Sequence, residues 1–173
     1  DALIGDTKPS RLILSHENLA CFPINAVGPN GLYNAFPQRL AALANIFPAD
    51  DCTFFVALRN PATLVPEVLA RAGIADRDAH LGNADPLELR WGPVLKRMLE
   101  AVPDARVVLW CNEDTPLLWP DILHALADED GDAPIEGEDH MLMLLLSDEG
   151  LAALHTHLAG VEGPFGTTER RDI

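Results

Sequence analysis

The sequence predicts an α/β fold in which a parallel sheet is covered by helices on both faces. Three short runs, Leu12–Leu14, Thr53–Leu58 and Val107–Trp110, are rich in β-branched or aromatic residues and apolar on both sides rather than alternating, as strands covered on both faces must be. The segments between them carry apolar residues at helical spacing. The resulting alternation of strand and helix is that of doubly wound folds.

Along the chain, Phe36, Leu40, Leu43 and Phe47 recur at i, i+4, i+7 and i+11, one stripe that can pack on the sheet before Pro48 stops the helix. The second crossover opens at Asp85-Pro86-Leu87-Glu88, an N-cap acid followed by Pro at the first helical position and Glu three residues after the cap. Trp91, Leu95, Met98 and Val102 continue its stripe, and Gly92-Pro93 splits or kinks it. After the third strand, Thr115-Pro116 starts a helix with Leu118, Ile122 and Leu126 on its buried side, ending near Ala127. Ser147, with Asp148 and Glu149 in the first turn, starts another that ends at Gly160. Residues 1–160 thus read as one domain, and 161–173 as a tail or linker.

Composition narrows the function classes. Twelve basic against 27 acidic residues give a net charge of −15, and the basic residues are scattered, so nucleic acid and anionic membrane are not expected partners. The longest nearly uncharged apolar run, Met141–Leu146, is far short of the ~20 residues a membrane-spanning helix needs. Cys21, Cys52 and Cys111 are odd in number and lack C-x-x-C spacing, which reads as reduced core thiols in a cytoplasmic protein. The chain begins with Asp, only ten residues ahead of its first predicted strand, and is expected to be part of a longer one.

In doubly wound folds ligands collect outside the carboxyl ends of the strands. Three polar turns lie there: Ser15-His16-Glu17-Asn18, Arg59-Asn60-Pro61 and Asn112-Glu113-Asp114. They define a small pocket with one arginine, one histidine and three carboxylates at a common edge. Asn60, Asn112 and Asp114 equally suit the capping of helices that start there.

The runs Leu12–Glu17, Arg39–Leu43 through Phe47-Pro48, Leu58–Pro61, Leu89–Trp91 and Asn112–Asp114 together resemble the central part of a bacterial sulfotransferase-like family with a P-loop-type fold. The resemblance covers roughly residues 11–127. It implies a transferase that moves a sulfonate from 3′-phosphoadenosine 5′-phosphosulfate to a hydroxyl of a small-molecule or carbohydrate acceptor. It also implies cofactor binding by Arg59 and Asn60, and His16 or Glu17 as the base that takes the acceptor proton. No metal is expected.

The family's Gly- and Thr-bearing phosphosulfate loop follows a first strand. Here Gly5–Ser10 has those letters but precedes the first predicted strand. Removing a central strand leaves its two neighbours with unpaired backbone groups, each costing ~1–3 kcal/mol when buried, so the domain is expected to be incomplete at its N-terminus. A further strand would come from upstream or from Asp1–Ile4. The family places a serine eight residues after the arginine, and Glu67 stands there. A carboxylate repels phosphate, so Arg59 either binds a nucleotide or forms a structural ion pair with Glu67. The same fold without cofactor would be a binding or interaction module.

Two other patterns are weaker. Residues 128–139 hold seven carboxylates in twelve positions and place Asp128, Asp130, Asp132 and Asp139 as a calcium loop would, but Ala133 and Pro134 occupy the turn. A solvated loop is expected. His155 and His157 sit two apart on a helix and point roughly 200° apart, so they do not share a metal.

Overall fold

The computed structural model describes residues 9–128 and 135–160. The chain divides into two compact units, residues 1–109 and 110–173. It is mixed α/β with a small parallel sheet.

The first unit opens with a hairpin, β1 (Val27–Gly28) and β2 (Gly31–Leu32), antiparallel with Val27 opposite Leu32. Pro29-Asn30 turns the chain and Gly31 takes the left-handed conformation, φ 93°, which costs a residue without a Cβ nothing. Helix α1 (Phe36–Ala44) follows. Phe36 and Leu40 are buried as predicted, but the helix ends three residues before Phe47, where Ile46 and Phe47 donate to Leu43 and Ala44 in tighter i→i−3 bonds. Strand β3 (Thr53–Leu58) pairs in parallel with β4 (Arg106–Cys111), and the Arg106 amide donates to the Cys52 carbonyl.

Between the strands run three helices: α2 (Pro61–Arg71), α3 (Arg77–Leu81) and α4 (Gly92–Ala101). Asn60 caps α2 by accepting from the Ala62 amide at 3.0 Å, with Pro61 at the first helical position. Asp76 caps α3 in the same way through the Ala79 amide, and His80 Nε2 donates to the Val27 carbonyl, tying α3 to the hairpin. The start predicted at Asp85 exists, with Asp85 accepting from the Leu87 amide, but yields one 3₁₀ turn, Pro86–Glu88. Arg90 Nη1 donates to the carbonyls of Leu87 and Leu89, a side-chain alternative to helical bonding, and the helix restarts at Gly92. Helix α1 packs against α4. Val27, Leu32, Phe36, Leu40, Val94 and Met98 belong to one core to which α2 adds Val65 and Leu69.

One predicted strand is corrected. Leu12, Ile13 and Leu14 are in no sheet and are 46%, 55% and 54% exposed. Three residues cannot hold strand geometry without a neighbour, and among the described residues the only pairings are β1 with β2 and β3 with β4. The sheet is correspondingly less covered than predicted: β3 is half-buried along most of its length, and Leu109 of β4 is 40% exposed.

The second unit holds α5 (Thr115–Ala127), α6 (His140–Met143) and α7 (Asp148–Leu158). Asp128 ends α5 in the left-handed conformation at φ 60°. Ser147 caps α7 by accepting from the Gly150 amide at 3.2 Å. Leu142 and Leu154 form a second core with Leu117 and Leu146 around them. The acidic residues 129–134, the Gly5–Lys8 part of the Gly- and Thr-bearing segment, Asp1–Ile4 and the predicted tail lie outside the described residues. No described helix is long and apolar enough to cross a membrane.

Of the three thiols, all free, Cys21 is buried and Cys52 half-buried, whereas Cys111 is exposed at the end of β4. The expectation of a core position fails for Cys111 because the end of β4 is not covered.

Candidate functional site

The end of β3 builds the site. Arg59 is the first residue past the strand, and three constraints fix its backbone. Asn60 is committed to capping α2. Thr63 Oγ1 donates to the Asn60 carbonyl at 3.0 Å. The indole Nε1 of Trp91 donates to the Arg59 carbonyl at 2.7 Å. Trp91 is itself stacked on Tyr33, with ring centroids 5.2 Å apart and planes 21° from parallel, an arrangement favoured by the ring quadrupoles when offset. Tyr33 has φ 42°, a conformation that costs a residue with a Cβ of order 1 kcal/mol and persists only where its surroundings impose it.

A cleft of about 190 Å³ opens beside this framework, lined among others by Glu17, Cys21, Tyr33, Arg59, Glu67 and Arg71. Arg59 Nη2 lies 2.5 Å from Glu67 Oε2, one helix turn and a half along α2, and Arg71 Nη2 lies 3.6 Å from Glu17 Oε2. Glu67 also feels the charge of Arg71. The charged lining is therefore a row of alternating sign: Arg59, Glu67, Arg71, Glu17. Arg59 is the most enclosed of the four at 33% exposed, against 53% for Glu67.

The hydrogen bond and positive charge of Arg59 hold the Glu67 carboxyl below its ordinary range, with a smaller pull from Arg71. Glu67 binds its last proton more weakly folded than unfolded, so the ion pair stabilises the fold above the ordinary carboxylate range. That stability disappears as pH falls through the folded value. Glu67→Gln is therefore expected to melt slightly below the wild type near neutral pH, with the gap closing as the pH falls below the ordinary carboxylate range. Paired thermal melts across that range check this, and a gap that is constant with pH would refute the ion-pair assignment. Burial raises the Cys21 thiol above its ordinary value, partly offset by Arg39. Burial raises the Tyr33 phenol, helped by Cys21 and opposed by Arg59. At neutral pH the cleft thus presents a protonated thiol, a protonated phenol and an ionised Glu67, which suits holding charged groups rather than nucleophilic attack.

The sequence-predicted residues separate here. Glu17 and Arg59 line the same cleft. His16 is next to it in the chain but spends Nδ1 accepting from the Asn18 amide at 3.0 Å, a turn contact, and does not line the cleft. Asn60 has the capping role that the sequence left open. Asn112–Asp114 form a single 3₁₀ turn leading into α5, in the second unit. Arg71, Tyr33 and Cys21 were not singled out from sequence as site residues. A glutamate four residues before an arginine, Glu67 and Arg71, is a helical pair signal, but it becomes readable only once α2 is recognised. Among the described residues no cluster of three or more His, Cys, Asp or Glu is disposed to hold a metal.

No family model, curated protein or solved structure matches this chain. The likeness to sulfotransferases therefore rests on the sequence pattern alone.

Proposed function

We propose that the chain is a non-catalytic binding module whose cleft receives a small charged organic molecule through Arg59. The observation that carries this reading is the way Arg59 is held: its backbone is pinned by Trp91 and by the Asn60 cap, while its charge is answered by a more exposed, displaceable carboxylate, Glu67. A guanidinium carried on a fixed backbone and paired with a more exposed carboxylate can exchange that internal partner for an external carboxylate of similar shape.

Two observations favour this reading over sulfonate transfer from 3′-phosphoadenosine 5′-phosphosulfate. The cleft, at about 190 Å³, lies below the ~300–1,000 Å³ of sites that enclose drug-sized ligands, and a doubly phosphorylated nucleotide is at least that large. Glu67 stands where the family has a phosphate-binding serine and already occupies Arg59. Both count against the nucleotide as the ligand of this cleft.

Calorimetry with 3′-phosphoadenosine 5′-phosphate and ligand-observed NMR with a panel of small carboxylates, amines and amino acids separate the two readings. Panel members are expected to bind, with binding lost in Arg59→Gln, and the nucleotide to give no heat at millimolar concentration. Nucleotide binding that disappears in Arg59→Gln would restore the sulfotransferase reading. A panel without any Arg59-dependent binder would overturn the proposal.

A further inference from the structure

The alternating row in the cleft carries information about the ligand's own charges. A simple anion that takes Arg59 must push Glu67 aside and then sit beside it, so a like-charge contact replaces an ion pair. A simple cation that takes Glu67 or Glu17 displaces Arg59 or Arg71 and leaves the corresponding repulsion on the other side. A molecule bearing both charges avoids both outcomes. Its carboxylate replaces Glu67 on Arg59, its ammonium meets the released Glu67, and the Arg59–Glu67 pair is replaced by two intermolecular ones. The pair to be opened is accessible from its carboxylate side: Glu67 is 53% exposed and Arg59, half-buried, 33%. A pair open to solvent on one side contributes little to stability, so little is lost when a ligand opens it.

Beside the charges, Asn18 and Cys21 the lining is largely apolar. Ala26, Leu64 and Val68, with the ring of Tyr33, form a wall beside the charges. Leu64 is buried, and Tyr33 is held against the cleft by its stack on Trp91 in a backbone conformation that the surroundings must impose. Strained residues of this kind concentrate where a site is preorganised. The cleft's small volume limits the apolar body to a few carbons.

We propose that the ligand is a small zwitterion of the α-amino-acid type with an aliphatic side chain. Its carboxylate bonds to Arg59, its ammonium to Glu67, and its side chain rests on the Leu64–Val68–Tyr33 wall. This inference rests on the binding-module reading above.

Three probes sharing one aliphatic body decide it: L-leucine, 4-methylpentanoate, which lacks the amine, and 3-methylbutylamine, which lacks the carboxylate. Each is titrated into the full chain by calorimetry, with saturation-transfer NMR for weak binding. L-leucine is expected to bind at least about tenfold more tightly than either analogue, the value of one charged hydrogen-bonded contact. In Glu67→Gln the ammonium loses its partner and the carboxylate its repulsion, so the advantage of L-leucine over 4-methylpentanoate is expected to vanish. Equal binding of L-leucine and 4-methylpentanoate to the wild type would overturn the zwitterion while leaving a carboxylate receptor at Arg59. Failure of all three probes below about 10 mM, with other panel compounds still binding in an Arg59-dependent way, would also overturn it and leave the module reading intact. Absence of any Arg59-dependent binder would remove both. The comparison of probes on the wild type stands even if Glu67→Gln fails to fold, and melting of the variant reports whether it does.

Discussion

Replacing Met98 by alanine is expected to destabilise the first unit by about 2–5 kcal/mol. Met98 is completely buried in α4 and belongs to the core shared by α1, α2, α4 and the hairpin. Its flexible thioether fills the space that a straight helix leaves between irregular neighbours, and truncation to Cβ leaves a void whose lining loses dispersion contacts on one side. The next residue provides the control. Leu99 is 54% exposed, so Leu99→Ala removes little buried area and puts the best helix former on a surface position; its effect is expected within about 0.5 kcal/mol. Urea melts of both variants test this, with a lower midpoint and unchanged slope for Met98→Ala. Comparable costs for the two would mean that α4 presents a different face to the core.

The same helix illustrates which features local chemistry makes legible. Helices α4, α5 and α7 each follow or contain a Pro or a capping side chain at the start and carry an apolar stripe, so two independent signals agree on one element. Their starts fall within a few residues of expectation, apart from the single turn at Pro86–Glu88 that Arg90 and Leu89 interrupt. A strand offers no comparable local signal, because its hydrogen bonds are made by another segment. Thr53–Leu58 and Val107–Trp110 find each other. Leu12–Leu14 has an equally apolar composition and no such partner among the described residues, and composition cannot tell these cases apart. The hairpin fell below detection for a different reason: two residues per strand are too few to show alternation, and only Pro29-Asn30-Gly31 marks the turn.

One of the cleft's charged residues lies at an observed strand end. Arg59 follows β3 as the strand-end rule places it, whereas Glu17 reaches the cleft although the run ahead of it, Leu12–Leu14, is no strand; the ion pair of Arg59 with Glu67 was one of two outcomes open from their spacing. Helix α2 was the obstacle to the rest. Asn60-Pro61 reads equally as a turn or as a cap, and Pro66 lies inside the helix, where it removes one backbone donor and argues against helical continuation. Tertiary burial of Leu64, Val65 and Leu69 outweighs that loss. Without α2, Glu67 and Arg71 are merely four apart in a loop, and their common face toward Arg59 and Glu17 is invisible.

Trp91→Ala is expected to cost about 2–4 kcal/mol, somewhat less than the ~3–5 of a fully buried Trp because Trp91 is half-buried. It is also expected to abolish ligand binding. The two losses have separate physical origins, and Trp91→Phe divides them. Phenylalanine keeps a ring against Tyr33 but cannot donate to the Arg59 carbonyl, so stability is expected to fall only by about 0.5–1.5 kcal/mol. Affinity depends on Arg59 being presented at one place, since a guanidinium that must be immobilised on binding gives up part of its contact energy to lost freedom. Trp91→Phe is therefore expected to bind L-leucine at least about fivefold more weakly than the wild type while remaining folded. Denaturant melts and calorimetry on the two variants give both quantities. If Trp91→Phe loses the stability of one hydrogen bond and binds ligand undiminished, the indole supports the core alone, and the pinning of Arg59 is not what makes the cleft a receptor.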